Sequence, residues 1–281
     1  MSNLMLSAFA DEYATPFREQ LEALEQFGIG HIELRHLDGK NISVLEKSEA
    51  VEAKRMMDAF GIRASAIGSP LGKIRLDGDM AAHLETARRV FELANIFDTR
   101  LIRVFSFYAP EGKDVTSMRG EVLDALTQLV SLAREYGVTL CHENEAKIYG
   151  DTPTRCKELL EYFGGELKCV FDMGNFVLEG VNPYPEAYAL LKEHIAYFHI
   201  KDALFKGAIV PAGKGEAGIG EILKAHRSYA KTDFFVSLEP HLQTFSGLNA
   251  LVGRDFDNPY KYPDAKTAFR DAVQKFGALV F

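Results

Sequence analysis

The chain has 281 residues, 47% of them hydrophobic, a length and apolar content that suit one α/β barrel with a single large core. Its formal net charge of −8 argues against a nucleic-acid partner, which calls for a basic excess. Cys141, Cys156 and Cys169 are an odd number without metal-type spacing, no apolar stretch approaches the ~18–20 residues that span a bilayer, and the N-terminus lacks a basic n-region, so the sequence predicts a cytoplasmic protein with no membrane partner.

In chain order, Leu4–Phe9 predicts a strand and Thr15–Phe27 a helix. The same alternation follows in Ile29–Arg35 with Ser43–Phe60, Ile62–Gly68 with Asp79–Phe97, and Arg100–Ser106 with Thr116–Tyr136. It continues in Val138–Glu143 with Asp151–Phe163, Lys168–Asp172 with Pro183–Glu193, Ile195–Ile200 with Gly218–Ala230, and Asp233–Glu239 with Lys261–Phe276. Several strands are continuously apolar, as parallel strands covered on both faces are. Gly28, Gly61 and Gly137 end helices just before the next strand. A doubly wound open sheet also alternates β and α, but eight units without a glycine-rich fingerprint after the first strand favour a closed (β/α)8 TIM barrel, one domain over residues 1–281. A long loop, Gln243–Asp264, is placed to act as a substrate lid.

In such a barrel, active sites lie at the C-terminal ends of the strands. Strand 1 ends in Phe9-Ala10-Asp11-Glu12, strand 2 carries Glu33, Arg35 and His36, strand 3 runs into Lys73, and strand 4 has Arg103. Strands 5 to 8 end in His142-Glu143-Asn144-Glu145, Asp172-Met173-Gly174-Asn175, His199-Ile200-Lys201-Asp202 and Glu239-Pro240-His241. A lone carboxylate at a strand end reads as a helix N-cap or an ion pair, and Asp202 alone fits that description. Four consecutive apolar strands each ending in a carboxylate or imidazole do not, because burying each charge costs several kcal/mol without a partner. Glu143, Asp172, His199 and Glu239 offer three carboxylates and one imidazole, a set suited to one divalent cation: Mn²⁺ first, with Mg²⁺, Co²⁺ or Zn²⁺ also compatible. Residues two apart share a strand face, which puts Glu145 with Glu143, Lys201 with His199 and His241 with Glu239, and turns Asn144 the other way. His142 reads as a packed core histidine, and His31, His83, His194 and His226 as solvent-facing.

At these residues the chain resembles the xylose isomerase-like barrel superfamily, the sugar phosphate isomerase/epimerase group. The resemblance spans almost the whole chain and is carried by HENE at His142–Glu145, FDMGNF at Phe171–Phe176, HIKDA at His199–Ala203, VPAGKG at Val210–Gly215 and SLEPHL at Ser237–Leu242. GSPLGKI at Gly68–Ile74 and RVFSFY at Arg103–Tyr108 add to it. It implies that Glu143, Asp172, His199 and Glu239 bind the metal. It also implies proton abstraction next to a carbonyl of a small carbohydrate, with Glu143 and Glu239 as the base and acid. Arg35, Lys73, Arg103, Glu145, Asn175, Lys201, Asp202 and His241 are the candidate substrate contacts. One departure stands out: ketose 3-epimerase relatives carry a His three residues after the strand-6 Asp, where this chain has Asn175. No phosphate-cradling glycine loop is present, so the substrate need not be phosphorylated.

Isomerase or epimerase is therefore the leading expectation. A lyase or dehydratase acting on a keto-inositol or 3-keto-glycoside is the alternative, because the same metal and bases serve an elimination. An apurinic endonuclease is disfavoured by the acidic charge and the few strand-end histidines, and a non-catalytic sugar-binding barrel by the complete ligand set. A homo-oligomer is left open.

Overall fold

The computed structural model describes residues 2–242 and 259–280. Its barrel strands are β1 Leu4–Ala8, β2 His31–Leu34, β3 Arg63–Ile67, β4 Leu101–Val104, β5 Thr139–Glu143, β6 Leu167–Asp172, β7 Ile195–Ile200 and β8 Phe234–Leu238. All pair in parallel, in the order β1-β8-β7-β6-β5-β4-β3-β2. β1 and β2, at the two ends of that order, also touch, so the sheet curls into a nearly closed barrel with the helices outside it. This is the (β/α)8 arrangement the alternating pattern predicts.

The helices are α1 Phe17–Gln26, α2 Lys47–Ala59, α3 Met80–Ile96, α4 Arg119–Tyr136, α5 Pro153–Tyr162, α6 Met173–Leu178, α7 Tyr188–Leu191, α8 Ile219–Tyr229 and α9 Ala265–Val280. α4 shows why they form. Val122, Leu126, Leu129, Val130 and Ala133 recur at helical spacing and are all buried against the sheet. The helix stops at Gly137, whose φ of 66° is left-handed, a conformation glycine adopts without steric cost. Asp79 caps α3 by accepting from Ala82 N at 2.9 Å, and Thr152 caps α5 ahead of Pro153.

Two predicted elements differ, and others are new. The helix expected over Ser43–Phe60 opens instead with a 3₁₀ turn, Ile42–Val44, and starts as α2 only at Lys47, where Glu46 and Glu49 form a capping box. The Pro183–Glu193 helix shrinks to α7, because Tyr184, which precedes Pro185, is extended at φ −131°, ψ 135°. α6, starting directly after β6, was not anticipated; its six residues are too few to show helical periodicity. Two short antiparallel ribbons, His36–Leu37 with Lys40–Asn41 and Asp202–Leu204 with Ala208–Val210, were missed for the same reason. Most of the lid expected over Gln243–Asp264 falls on residues 243–258, outside the described residues.

Two histidines expected to face solvent are buried. His83 Nε2 accepts from Gly72 N at 2.9 Å, and His226 packs among Tyr188, Phe198 and Phe234. Each lies on the sheet-facing stripe of its helix, where helical phase outweighs side-chain polarity. The three cysteines are buried and unpaired. Among the described residues, no helix is long and apolar enough to cross a membrane.

Candidate metal centre and substrate cavity

β5 to β8 end at one point. Glu143 and Asp172 close strands β5 and β6, His199 is the penultimate residue of β7, and Glu239 follows β8; all four are buried. One donor atom from each lies within 4.8 Å of the others. His199 Nδ1 sits 3.0 Å from Glu143 Oε1, 3.2 Å from Glu239 Oε2 and 4.0 Å from Asp172 Oδ2. Backbone geometry fixes these positions. Asn144, turned away from the barrel axis by the strand pleat, bridges sideways to β6: its Nδ2 donates to Asp172 O at 2.9 Å, and its Oδ1 accepts from Asp172 N at 3.0 Å. Asp172 also caps α6, accepting from Asn175 N at 2.7 Å. Gly174 cannot carry a side chain, since a Cβ there would come within 2.6 Å of Lys201 Cγ.

Cations surround the acids. Lys201 Nζ donates to Asp172 Oδ2 at 2.9 Å, Glu239 Oε2 at 3.1 Å and Asn175 Oδ1 at 3.1 Å. Arg103 Nη1 lies 3.2 Å from Glu143 Oε2 and 3.4 Å from Glu239 Oε1. Arg35 reaches Glu239 Oε1 at 3.0 Å and Asp11 Oδ2 at 2.8 Å. Both guanidinium groups stack near the buried Phe9 ring, 4.4 Å and 5.2 Å from its centroid, and that ring also meets His199 edge-on.

The charges do not balance. Six carboxylates (Asp11, Glu12, Glu33, Glu143, Asp172, Glu239) face three obligate cations (Arg35, Arg103, Lys201), leaving three negative charges in excess before any histidine is protonated. The strain appears in the acids themselves. Burial, followed by repulsion from Glu143 and Glu239, raises Asp172 to about 7 despite Lys201. Burial and repulsion from Glu239 and Asp11 likewise raise Glu12 to about 8. Burial pushes Glu143 up as well, but His199 and Arg103 outweigh it and hold the carboxyl at about 2. His199 is driven well above its usual value, the carboxylates of Glu143, Glu33 and Glu239 overcoming its desolvation. Glu143 Oε2 is buried and accepts no well-aligned hydrogen bond, although Arg103 Nη1 lies 3.2 Å away. A compact set of hard oxygen and nitrogen donors, an anionic excess and a buried carboxylate oxygen without a well-aligned hydrogen bond together fit a divalent cation. A second trio, Glu12, Glu239 and His241, also has its donor atoms within 4.8 Å, but the Arg35 guanidinium already bridges Glu12 and Glu239.

Above this cluster opens a cavity of about 650 Å³. Glu239, Asn175 and Lys201 form its floor, and Arg35, Arg103, Lys73, Glu145 and His241 also line it. Lys73 and Glu145, both expected substrate contacts, pair at 2.9 Å and so neutralise each other. His241 N donates to Glu12 Oε2 at 2.8 Å, and its Nε2 lies 3.3 Å from Glu12 Oε1. Asn175 Nδ2 donates to Glu143 Oε1 at 3.3 Å and to Asn144 O at 2.9 Å. Asp202 stands apart from the cavity. Its oxygens accept from the backbone N–H groups of Ala203, Gly213, Gly215 and Ala217 at 2.8–3.1 Å, organising the loop that carries VPAGKG. His142 is a packed core histidine, its Nε2 2.9 Å from Ser106 Oγ, and desolvation lowers it to about 4.

Asp11, Glu12 and Glu33 belong to the same charged network and were not singled out from the sequence. Glu33 carried a signal: it is a carboxylate between apolar residues, Ile32 and Leu34, of a short strand. Asp11 and Glu12 lie in a 3₁₀ turn after β1, where acidic residues are commonplace.

The fold and site define a (β/α)8 barrel with a buried acid–imidazole centre at the C-terminal ends of its strands. The chain belongs to the xylose isomerase-like TIM barrel family, whose model matches residues 21–257. A comparison with curated protein sequences finds no match. Among solved structures, it is similar to the probable 3-DHS dehydratase AsbF from Bacillus anthracis, at 19% identity and a TM-score of 0.70 over 90% of this chain and 96% of that one. It is also similar to D-psicose 3-epimerase from Clostridium cellulolyticum H10, crystallised with D-tagatose, at 14% identity and a TM-score of 0.72 over 98% of each chain. A xylose isomerase-like TIM barrel protein from Mycobacterium smegmatis, solved with magnesium, gives 16% identity and a TM-score of 0.69 over 100% of this chain and 98% of that one. At these identities the structural likenesses establish a shared fold.

Proposed function

We propose that the protein is a divalent-metal-dependent isomerase or epimerase of a small carbohydrate, working by proton abstraction next to a carbonyl. One observation carries the reading: two glutamates from different strands, Glu143 and Glu239, converge on the same His199 nitrogen with Asp172 beside them. Glu143, Asp172, His199 and Glu239 would hold the cation, and three carboxylates with one imidazole favour Mn²⁺ within the range Mg²⁺, Co²⁺, Zn²⁺. When bound, such a cation supplies Lewis-acid polarisation of a substrate oxygen.

The chain's own groups do the rest. Glu143 and Glu239 are both held ionised, Glu143 by His199 and Arg103 and Glu239 by Lys201 and His199, each against the cost of burial. Either is a base for the carbon-bound proton; the other, also ionised at rest, returns a proton to the opposite face after taking one up from solvent. Lys201 is held charged, burial being outweighed by Asp172 and Glu239, so its ammonium stabilises negative charge developing on the substrate oxygen and does not serve as a base. The cavity's cations are already paired with carboxylates, which favours a neutral polyol or keto-sugar over a phosphorylated one.

Elimination is the second reading, and Lys201 favours it: an ammonium in the cavity floor is a hydrogen-bond donor for an oxygen leaving from the β carbon. The 3-DHS dehydratase among the structural relatives is consistent with that chemistry. One screen tests both. Ketoses, inososes and 3-keto-glycosides are incubated with the protein and Mn²⁺ in D₂O and followed by NMR. Deuterium on the carbon next to the carbonyl, with inversion or carbonyl transfer, supports isomerisation or epimerisation, and an unsaturated product supports elimination. No exchange with any of them contradicts both.

A further inference from the structure

On its other ring nitrogen, Nε2, His199 meets a fourth carboxylate, one outside the cavity lining. Glu33, buried in β2, places Oε1 and Oε2 3.2 and 3.1 Å from His199 Nε2. Tyr197, two residues before His199 on β7 and so turned to the same side of the strand, donates its hydroxyl to Glu33 Oε1 at 2.9 Å. Tyr197 is itself buried. A carboxylate flanked by two donors can only accept, which places a proton on His199 Nε2. The other ring nitrogen, Nδ1, then faces Glu143, Asp172 and Glu239.

We propose that Glu33 is a positioning residue for the metal centre: by accepting Nε2–H it fixes the ring and the tautomer of His199 so that Nδ1 is the nitrogen presented to the cation, with Tyr197 holding the Glu33 carboxylate in place. The inference rests on the metal-site reading of Glu143, Asp172, His199 and Glu239. Carboxylate partners behind a ligating histidine orient the ring and increase its basicity, and losing one costs about 10–100-fold in metal affinity. The proposal also accounts for a carboxylate that lies outside the cavity lining.

The test uses Glu33→Gln, Glu33→Asp and Tyr197→Phe in the full chain, with calorimetric titration of Mn²⁺ and thermal unfolding of the metal-free proteins. Glu33→Gln should weaken Mn²⁺ binding by roughly 10–100-fold without a matching fall in metal-free Tm. Glu33→Asp, which keeps the charge, should recover part of that affinity, and Tyr197→Phe should show a smaller loss in the same direction. Imidazole ¹⁵N spectra of the wild type with Zn²⁺ should show Nε2 protonated and Nδ1 bound. Undiminished Mn²⁺ affinity in both Glu33→Gln and Tyr197→Phe, or losses that only track Tm, would overturn the proposal. Should Glu33→Gln not fold, Glu33→Asp and Tyr197→Phe decide it by the same criterion. A wild-type protein that binds no Mn²⁺ would instead refute the metal-site reading itself, a different result from wild-type binding that is indifferent to Glu33.

Discussion

The two halves of the barrel contribute differently to the charged network. β5 to β8 bring Glu143, Asp172, His199 and Glu239 to one point, while β2 and β4 deliver Arg35 and Arg103 against the same acids. The second half concentrates negative charge at a cost, visible in Asp172 raised to about 7 by burial and by its acidic neighbours. The first half offsets that cost only in part. A site meant solely to be stable would have closed its charges in pairs; this one stops short, and the shortfall is what a divalent cation can fill.

Removing a first-half cation breaks the comparison most severely. Arg103→Ala leaves Glu143 and Glu239 buried without their shared guanidinium, and stability of the metal-free protein should fall by roughly 3–5 kcal/mol. Chemical denaturation measures this, and added Mn²⁺ should restore part of the loss. If Arg103→Ala is as stable as wild type, the two halves are not electrostatically coupled.

The second-half residues were legible because the rule that found them is local. A charged side chain closing an apolar strand is anomalous by itself, and four in succession single out Glu143, Asp172, His199 and Glu239. The barrel was legible for a similar reason, since alternating apolar strands and amphipathic helices repeat along the chain. The counter-charges were less so. Arg35 and Arg103 are named by the sequence as substrate contacts, but that each pairs with Glu239 depends on spacing across the barrel, which no local pattern encodes. Asp202 follows a strand end as Asp172 closes one, yet it is satisfied by the N–H of its neighbour Ala203 and three backbone N–H groups of a glycine-containing loop. Only the tertiary fold separates these two aspartates.

Acid–base chemistry gives the next largest effect. Glu143→Gln and Glu239→Gln keep size and one coordinating oxygen, so turnover at saturating metal should fall by roughly 10²-fold or more while metal affinity falls modestly. One variant should still exchange the substrate proton with solvent and the other should not; near-normal turnover in both would leave them as ligands only.

Lys201 sharpens the comparison, because it is a second-half cation doing first-half work. Lys201→Met removes an ammonium that holds Asp172 and Glu239, so Mn²⁺ affinity should stay level or rise, while kcat/KM should drop by roughly tenfold or more, the worth of one charge-assisted hydrogen bond. Loss of metal in this variant would make the lysine a structural part of the metal centre.

The smallest effect is on pH. Asp172 must be ionised to bind a cation, and its raised value near 7 means a proton leaves on binding. Apparent Mn²⁺ affinity should therefore weaken below pH 7 by up to about tenfold per pH unit from Asp172, and His199, also raised, must release a proton too, so affinity keeps rising above pH 7. For folding without metal the sign is opposite. A carboxyl raised from 3.8 to about 7 contributes stability at low pH that is lost as pH rises through about 7. Calorimetry in buffers of different ionisation enthalpy counts the released proton, and a pH-independent affinity between 6 and 8 would contradict the assignment.

The most direct test of the central claim is a crystal structure of the protein soaked in Mn²⁺, with anomalous scattering collected at the manganese edge. The account predicts one strong peak bound by Glu143, Asp172, His199 Nδ1 and Glu239 at about 2.0–2.3 Å. No peak at that point, or a peak held by other residues with these four turned away, would contradict it.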